Sequence, residues 1–280
     1  MKAVRTIKTW TCGILVAAIV GVHPWLASVN AEVSAEKQTQ INRLAALDEA
    51  DPEALQEALC GLSAKDLGTA FRETIMATAK DKIKATVQRY ANAAITVAYD
   101  EECGKLDPLM LAQQLGLNMA PGAQGVEGIT QDEMETLLSD ISAASTKGAL
   151  EAARTKDRVG VIKKLAYGAI RDVDDPDVAK ALTRGITAGA LFAAADDEIE
   201  TFGMAVAQGA LSGSANQGVV SAVTEGVGEG VAESNVSPEV SAAIQGATNN
   251  MAQVAASAGF GGGDDDDDDA VDAVPASPDN

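Results

Sequence analysis

Residues 60–103 read CGLSAKDLGTAFRETIMATAKDKIKATVQRYANAAITVAYDEEC. Ser63-Ala64-Lys65-Asp66 is a helix-opening capping box with Asp in the usual Glu position. Behind it Leu67, Phe71, Ile75, Ala79, Ile83, Val87, Tyr90 and Ala94 recur every three or four residues, one apolar stripe along a helix. Arg72, Glu73, Lys80, Asp81, Lys84 and Arg89 fall off that stripe and read as a solvated face. A single straight helix of about 40 residues would hold its ends roughly 60 Å apart. The two cysteines that bound the stretch would then be far beyond the roughly 7 Å between Cα atoms that a disulfide tolerates. Thr78-Ala79-Lys80-Asp81 is a further Thr-x-x-Asp cap signal, and a break there folds the segment into a helical hairpin. The expectation is that hairpin, with Cys60 bonded to Cys103; free thiols or bonds between two chains are the competing arrangements.

Outward from this segment the pattern stays helical. Asp51-Pro52, Asp107-Pro108, Asp175-Pro176 and Ser237-Pro238 each place a capping side chain before a proline at the first helical position, where the missing N–H costs nothing. These starts lie 56, 68 and 62 residues apart, a weak hint of repetition that recurs in unrelated helical chains. Thr130-Gln131-Asp132-Glu133 is a second capping box. No sustained period-two run bounded by hairpin turns is present, so the fold class is all-α: an irregular helical bundle with a Gly/Ala-rich C-terminal half and a disordered acidic tail.

The N-terminus has the layout of a secretory signal peptide. Lys2, Arg5 and Lys8 precede a short apolar run, Gly13 to Val22, and Val29-Asn30-Ala31 supplies small residues at the cleavage positions. Ten apolar residues fall short of the roughly 20 needed to span a bilayer, so the expected product is exported, periplasmic or secreted, without a membrane span. Cleavage after Ala31 removes three of the 21 basic residues and none of the 41 acidic ones, leaving 18 against 41 and a net charge of −23. It also removes His23, the only histidine, with Trp10 and Trp25. A chain without imidazole cannot by itself run Ser-His or Cys-His catalysis or build a His-containing metal site. Carboxylate, lysine and calcium chemistry survive that filter.

Charge then divides the mature chain. Residues 32–184 form a helical domain of mixed charge, with 18 basic and 25 acidic side chains. Residues 185–260 form a Gly/Ala-rich acidic helical region, and 261–280 a disordered Asp-rich tail; beyond Arg184 there are 16 acidic residues and no basic one. Gly185 with Gly189, and Gly209 with Gly213, stand four apart, the spacing that lets helix backbones approach closely. They read either as a tight helix-helix surface, with self-association as its use, or as flexible glycine turns that join short helices packed on the first half. Asp196, Asp197, Glu198 and Glu200 exclude a lipid-spanning role for this region.

The candidate chemistry is sparse. Asp264, Asp265, Asp266, Asp267, Asp268 and Asp269 supply the carboxylate oxygens that Ca2+ and other divalent cations prefer, yet a run of six without a cage makes only a weak site. Asp172, Asp174, Asp175 and Asp177 begin like an EF-hand loop, but Pro176 and Asp177 stand where a ligand and a glycine are needed, so helix capping explains them more simply. No cofactor is implied. A net charge of −23 disfavours nucleic acid and anionic lipid. The expected role is non-catalytic, a structural or protein-interaction protein of the envelope or secreted fraction. The alternatives are a calcium- or mineral-associated protein acting through the tail, and a carboxylate-based hydrolase.

Overall fold

The computed structural model describes residues 33–47 and 52–258, so the signal peptide and the Asp264–Asp269 run expected from sequence lie outside the described residues. Those described fold into eleven α-helices without strands: α1 (Ala35–Ala46), α2 (Pro52–Leu59), α3 (Ala64–Ala77), α4 (Ile83–Ala98), α5 (Pro108–Gln124), α6 (Gln131–Ala152), α7 (Arg158–Arg171), α8 (Pro176–Ala193), α9 (Ile199–Gly213), α10 (Gln217–Glu233) and α11 (Pro238–Ala258). The all-α class is as expected. Local chemistry sets most of the starts. Ser63 Oγ accepts from the Asp66 N–H at 3.2 Å, Asp107 from Leu109 at 2.8 Å, Asp175 from Asp177 at 2.9 Å and Asn216 from Val219 at 3.0 Å. Thr130 and Glu133 complete the reciprocal capping box.

The hairpin is present, though Thr78 acts differently from the sequence expectation. It closes α3 instead of opening α4: its backbone is extended and its hydroxyl donates to the Thr74 carbonyl at 2.6 Å. A single 3-10 turn, Lys80–Lys82, leads into α4. The apolar stripe then faces itself across the hairpin. The Tyr90 hydroxyl, fully buried, donates to the Leu67 carbonyl at 2.8 Å, and its ring lies 5.2 Å from that of Phe71.

The bundle resolves into two layers. Each helix packs most extensively on its second neighbour in sequence, so odd-numbered helices form one layer and even-numbered helices the other. Glycines make this stacking close. A Cβ at Gly185 would lie 2.2 Å from the Ser139 carbonyl oxygen, one at Gly189 2.3 Å from that of Ala143, one at Gly209 2.2 Å from that of Lys163, and one at Gly226 2.5 Å from that of Lys180. Gly213 faces the Tyr167 carbonyl and Gly230 that of Arg184. In all six pairs the two residues are 46 apart in sequence, and within each helix pair both sides advance by four, so second neighbours run parallel. The glycine seams therefore exist, and they join the chain to itself: Gly185 and Gly189 are spent on α6, Gly209 and Gly213 on α7.

Two consequences follow for organisation. The prolines whose spacing gave a weak hint of repetition open α2, α5, α8 and α11, every third helix and alternately in either layer, so they do not mark the two-helix unit that stacks. The change of composition at Arg184/Gly185 falls inside α8 and breaks no packing; the described residues belong to one compact unit. No helix among them is long and apolar enough to cross a membrane.

Candidate functional site

Because second neighbours run parallel, every turn from an even to an odd helix lies on the same edge of the stack. Three staples of different chemistry join consecutive turns there. Cys60, in the turn after α2, and Cys103, in the turn after α4, have sulfurs at bonding distance and Cα atoms 4.8 Å apart, as the hairpin requires. Each precedes a glycine of positive φ, Gly61 at 77° and Gly104 at 108°, the left-handed backbone that reverses the chain. Tyr99, at the end of α4, donates its hydroxyl to Asp157 at 3.0 Å, and the Arg154 guanidinium sits 4.4 Å from its ring centre, joining that turn to the next. Burial, followed by the bond to Asp157, raises the Tyr99 phenol above its ordinary value. Arg158 reaches onward, 2.5 Å from Glu198, donating to the Ala193 carbonyl at 2.6 Å and lying 5.0 Å from the Phe202 ring centre. Sequence reasoning missed Tyr99, Asp157, Arg158 and Glu198, since nothing local pairs residues 40 or 58 positions apart.

The even layer carries the paired charges. Lys80 meets Glu133, Lys84 lies 2.7 Å from Asp140, and Gln88 donates to Glu151 at 3.0 Å, bridging α4 and its leading turn to α6. Lys180 and Arg184 on α8 stand between acidic rows: Arg184 lies 3.1 Å from Glu135 on α6 and 3.6 Å from Glu229 on α10, while Lys180 lies 2.8 Å from Glu229. Glu225, Glu229 and Glu233, in a half with no basic residue, thus turn back to the last two cations of the first half. The bond to Glu229 raises the Lys180 ammonium above its ordinary value.

A groove of about 700 Å3 between α4 and α6 gathers Asp81, Glu133 and Asp140 with Lys80 and Lys84. A glycosidase-like pair needs one carboxylic acid that holds its proton near neutrality. Glu133 is the opposite. Its bond from Lys80, and then those from the Thr130 N–H and hydroxyl, lower its pKa from 4.5 to about 2. A carboxylate depressed in the folded state contributes stability above its unfolded pKa, and that contribution disappears as pH falls through the folded value. The difference in stability between the wild type and Glu133→Gln should therefore be constant above about pH 5 and shrink between about pH 4.5 and 2, read by denaturant titration at each pH. Glu133 is solvent-exposed, so the effect is small and salt-sensitive.

Asp172, Asp174, Asp175 and Asp177 are exposed at the start of α8, where Asp175 caps the helix as expected. Among the described residues no three His, Cys, Asp or Glu side chains gather as a metal-binding group. The odd layer contrasts with the even one: Lys163, Lys164 and Arg171 on α7 make no ion pair or side-chain hydrogen bond with any described residue. Compared with known proteins, the chain matches no family model, no curated protein and no solved structure.

Proposed function

We propose that this chain is an exported, non-catalytic scaffold that presents the faces of a helix stack to a protein partner. The observation that carries the reading is the two-layer stack. Second-neighbour helices in backbone contact through glycine, with turns stapled along one edge, form a body of fixed shape with long exposed faces, and stacked helix pairs use such faces for binding. Cysteines paired across two turns fit an oxidising compartment. The basic, apolar and small-residue order of residues 1–31 fits the same destination.

The experiment is cross-linking in the native host, followed by isolation of the chain from envelope and medium and sequencing of its N-terminus. The expected result is material beginning at Glu32, with blocked thiols and one discrete adduct larger than the monomer. Material beginning at Met1 with reduced thiols removes export, and a chain recovered without any adduct removes the scaffold role.

A further inference from the structure

We propose that the basic row on α7, Lys163, Lys164 and Arg171, is the docking site of the chain's own Asp264–Asp269 segment. The three cations share one face of α7: Arg171 stands eight residues from Lys163 and seven from Lys164, with Tyr167 between them. The Tyr167 ring lies 5.9 Å from the Arg171 guanidinium, so this face offers an aromatic surface between its charges. Among the described residues no carboxylate pairs with it: Asp172 and Asp174, exposed just past the end of α7, form no ion pair with Arg171, and the odd helices that flank α7 on this side are nearly bare of charge. α5 has no charged side chain, α9 has only Glu200 and α11 only Glu239, both in the first turn, at the end away from Arg171. On the even layer the basic side chains of α8 are each paired, in one case with carboxylates on both sides. In a chain with 41 acidic and 21 basic residues these three cations on one helix face have no ion-pair partner among the described residues, and six adjacent carboxylates follow the last described helix.

The connection is long enough. Gly213 on α9 lies beside Tyr167 and Arg171, and Gly203 on α9 lies against Ile244 on α11. The three helices run in one direction, so the end of α11 at Ala258 falls on the same edge as Arg171, about one turn past Gly213. Two helix spacings of about 8–10 Å separate α11 from α7. Six residues from Ala258 to Asp264 reach about 20 Å, and eleven to Asp269 reach nearly 40 Å. A tether this short holds the Asp run near the row at an effective concentration of order millimolar, enough for weak exposed ion pairs to be occupied.

Zero-length carbodiimide coupling of the oxidised full chain, at low micromolar concentration and low salt, tests the assignment by peptide mapping of carboxylate–amine links. The expected result is monomer in which Asp264–Asp269 is joined to Lys163 and Lys164 roughly tenfold more than to Lys147 or Lys156, with most of that preference lost at about 0.5 M salt, where the Debye length is near 4 Å. Arg171→Gln leaves both lysines available to the reagent and should lower their coupling severalfold, which lysine reactivity alone would not do. Links spread evenly over the exposed lysines, links found only in dimers, or an Arg171→Gln chain that couples like the wild type would each overturn the proposal.

Discussion

Gly185→Ala destabilises the chain by about 2–4 kcal/mol, while the same change at Gly246 stabilises it by up to about 1 kcal/mol. Both glycines sit inside helices, α8 and α11, and both substitutions recover the same backbone entropy in the helix. They differ in what the new methyl meets. At Gly185 it would stand 2.0 Å from Ser142 Oγ and 2.2 Å from the Ser139 carbonyl oxygen; the hydroxyl can rotate away, but the carbonyl belongs to α6 and can move only with that helix. Relief takes about an ångström of separation between α6 and α8, which opens the contacts of the fully or nearly fully buried Leu138, Ile141, Leu182 and Ile186. At Gly246 nothing lies within 4 Å, and only the gain in helix propensity remains. Denaturant midpoints of the two variants should move in opposite directions at unchanged m-value. A Gly185→Ala chain as stable as the wild type would show that the helices are not in backbone contact there.

The contrast between these two glycines marks how far the sequence could be read. Helix starts were legible because their causes are local: Ser63, Asp107, Thr130 and Asp175 each satisfy N–H groups two or three residues ahead. The hairpin at Thr78 was legible for the same reason, although Thr78 ends one helix by bonding back to Thr74 instead of opening the next. The Cys60–Cys103 pairing was suggested by two cysteines in a chain read as exported, and the break at Thr78 is what made it geometrically possible. The partners of the glycine seams were not legible. A glycine faces a backbone carbonyl, and the residues that own those carbonyls, Ser139, Ala143, Lys163, Tyr167, Lys180 and Arg184, have no side-chain property in common. The close approach leaves its mark on one helix only, so Gly185-x-x-x-Gly189 announces a contact without saying with what. Charge behaved similarly. Counting showed a C-terminal half without cations, but the return of Glu225, Glu229 and Glu233 to Lys180 and Arg184 depends on the 46-residue offset between α8 and α10, which no local pattern encodes.

Removing the covalent staple should cost nearly as much as the misplaced methyl, but at the other end of the stack. Cys60→Ser with Cys103→Ser opens a loop of 44 residues, and the loss of loop-closure constraint on the unfolded chain is worth about 4 kcal/mol in the chain-entropy account, with about 2–4 kcal/mol typical in practice. The cost is not spread evenly. Among the described residues α1 and α2 are short and rest mainly on one another and on α3 and α4, whereas α8 is enclosed by α6, α10, α7 and α9. The turn after α2 carries Cys60, whose carbonyl also accepts from the Lys37 ammonium of α1 at 3.4 Å, so freeing this turn loosens both terminal helices together. Amide exchange in the double variant should therefore rise first in α1 and α2 and leave α8 protected, while the denaturant midpoint of the whole unit falls. The double serine change removes the bond without introducing a bulkier group, and a wild type treated with reductant should match it in both readouts. An unchanged midpoint, together with two titratable thiols in the untreated wild type, would show that the sulfurs meet without bonding and that the hairpin stands on the Phe71–Tyr90 packing and the Tyr90–Leu67 hydrogen bond alone.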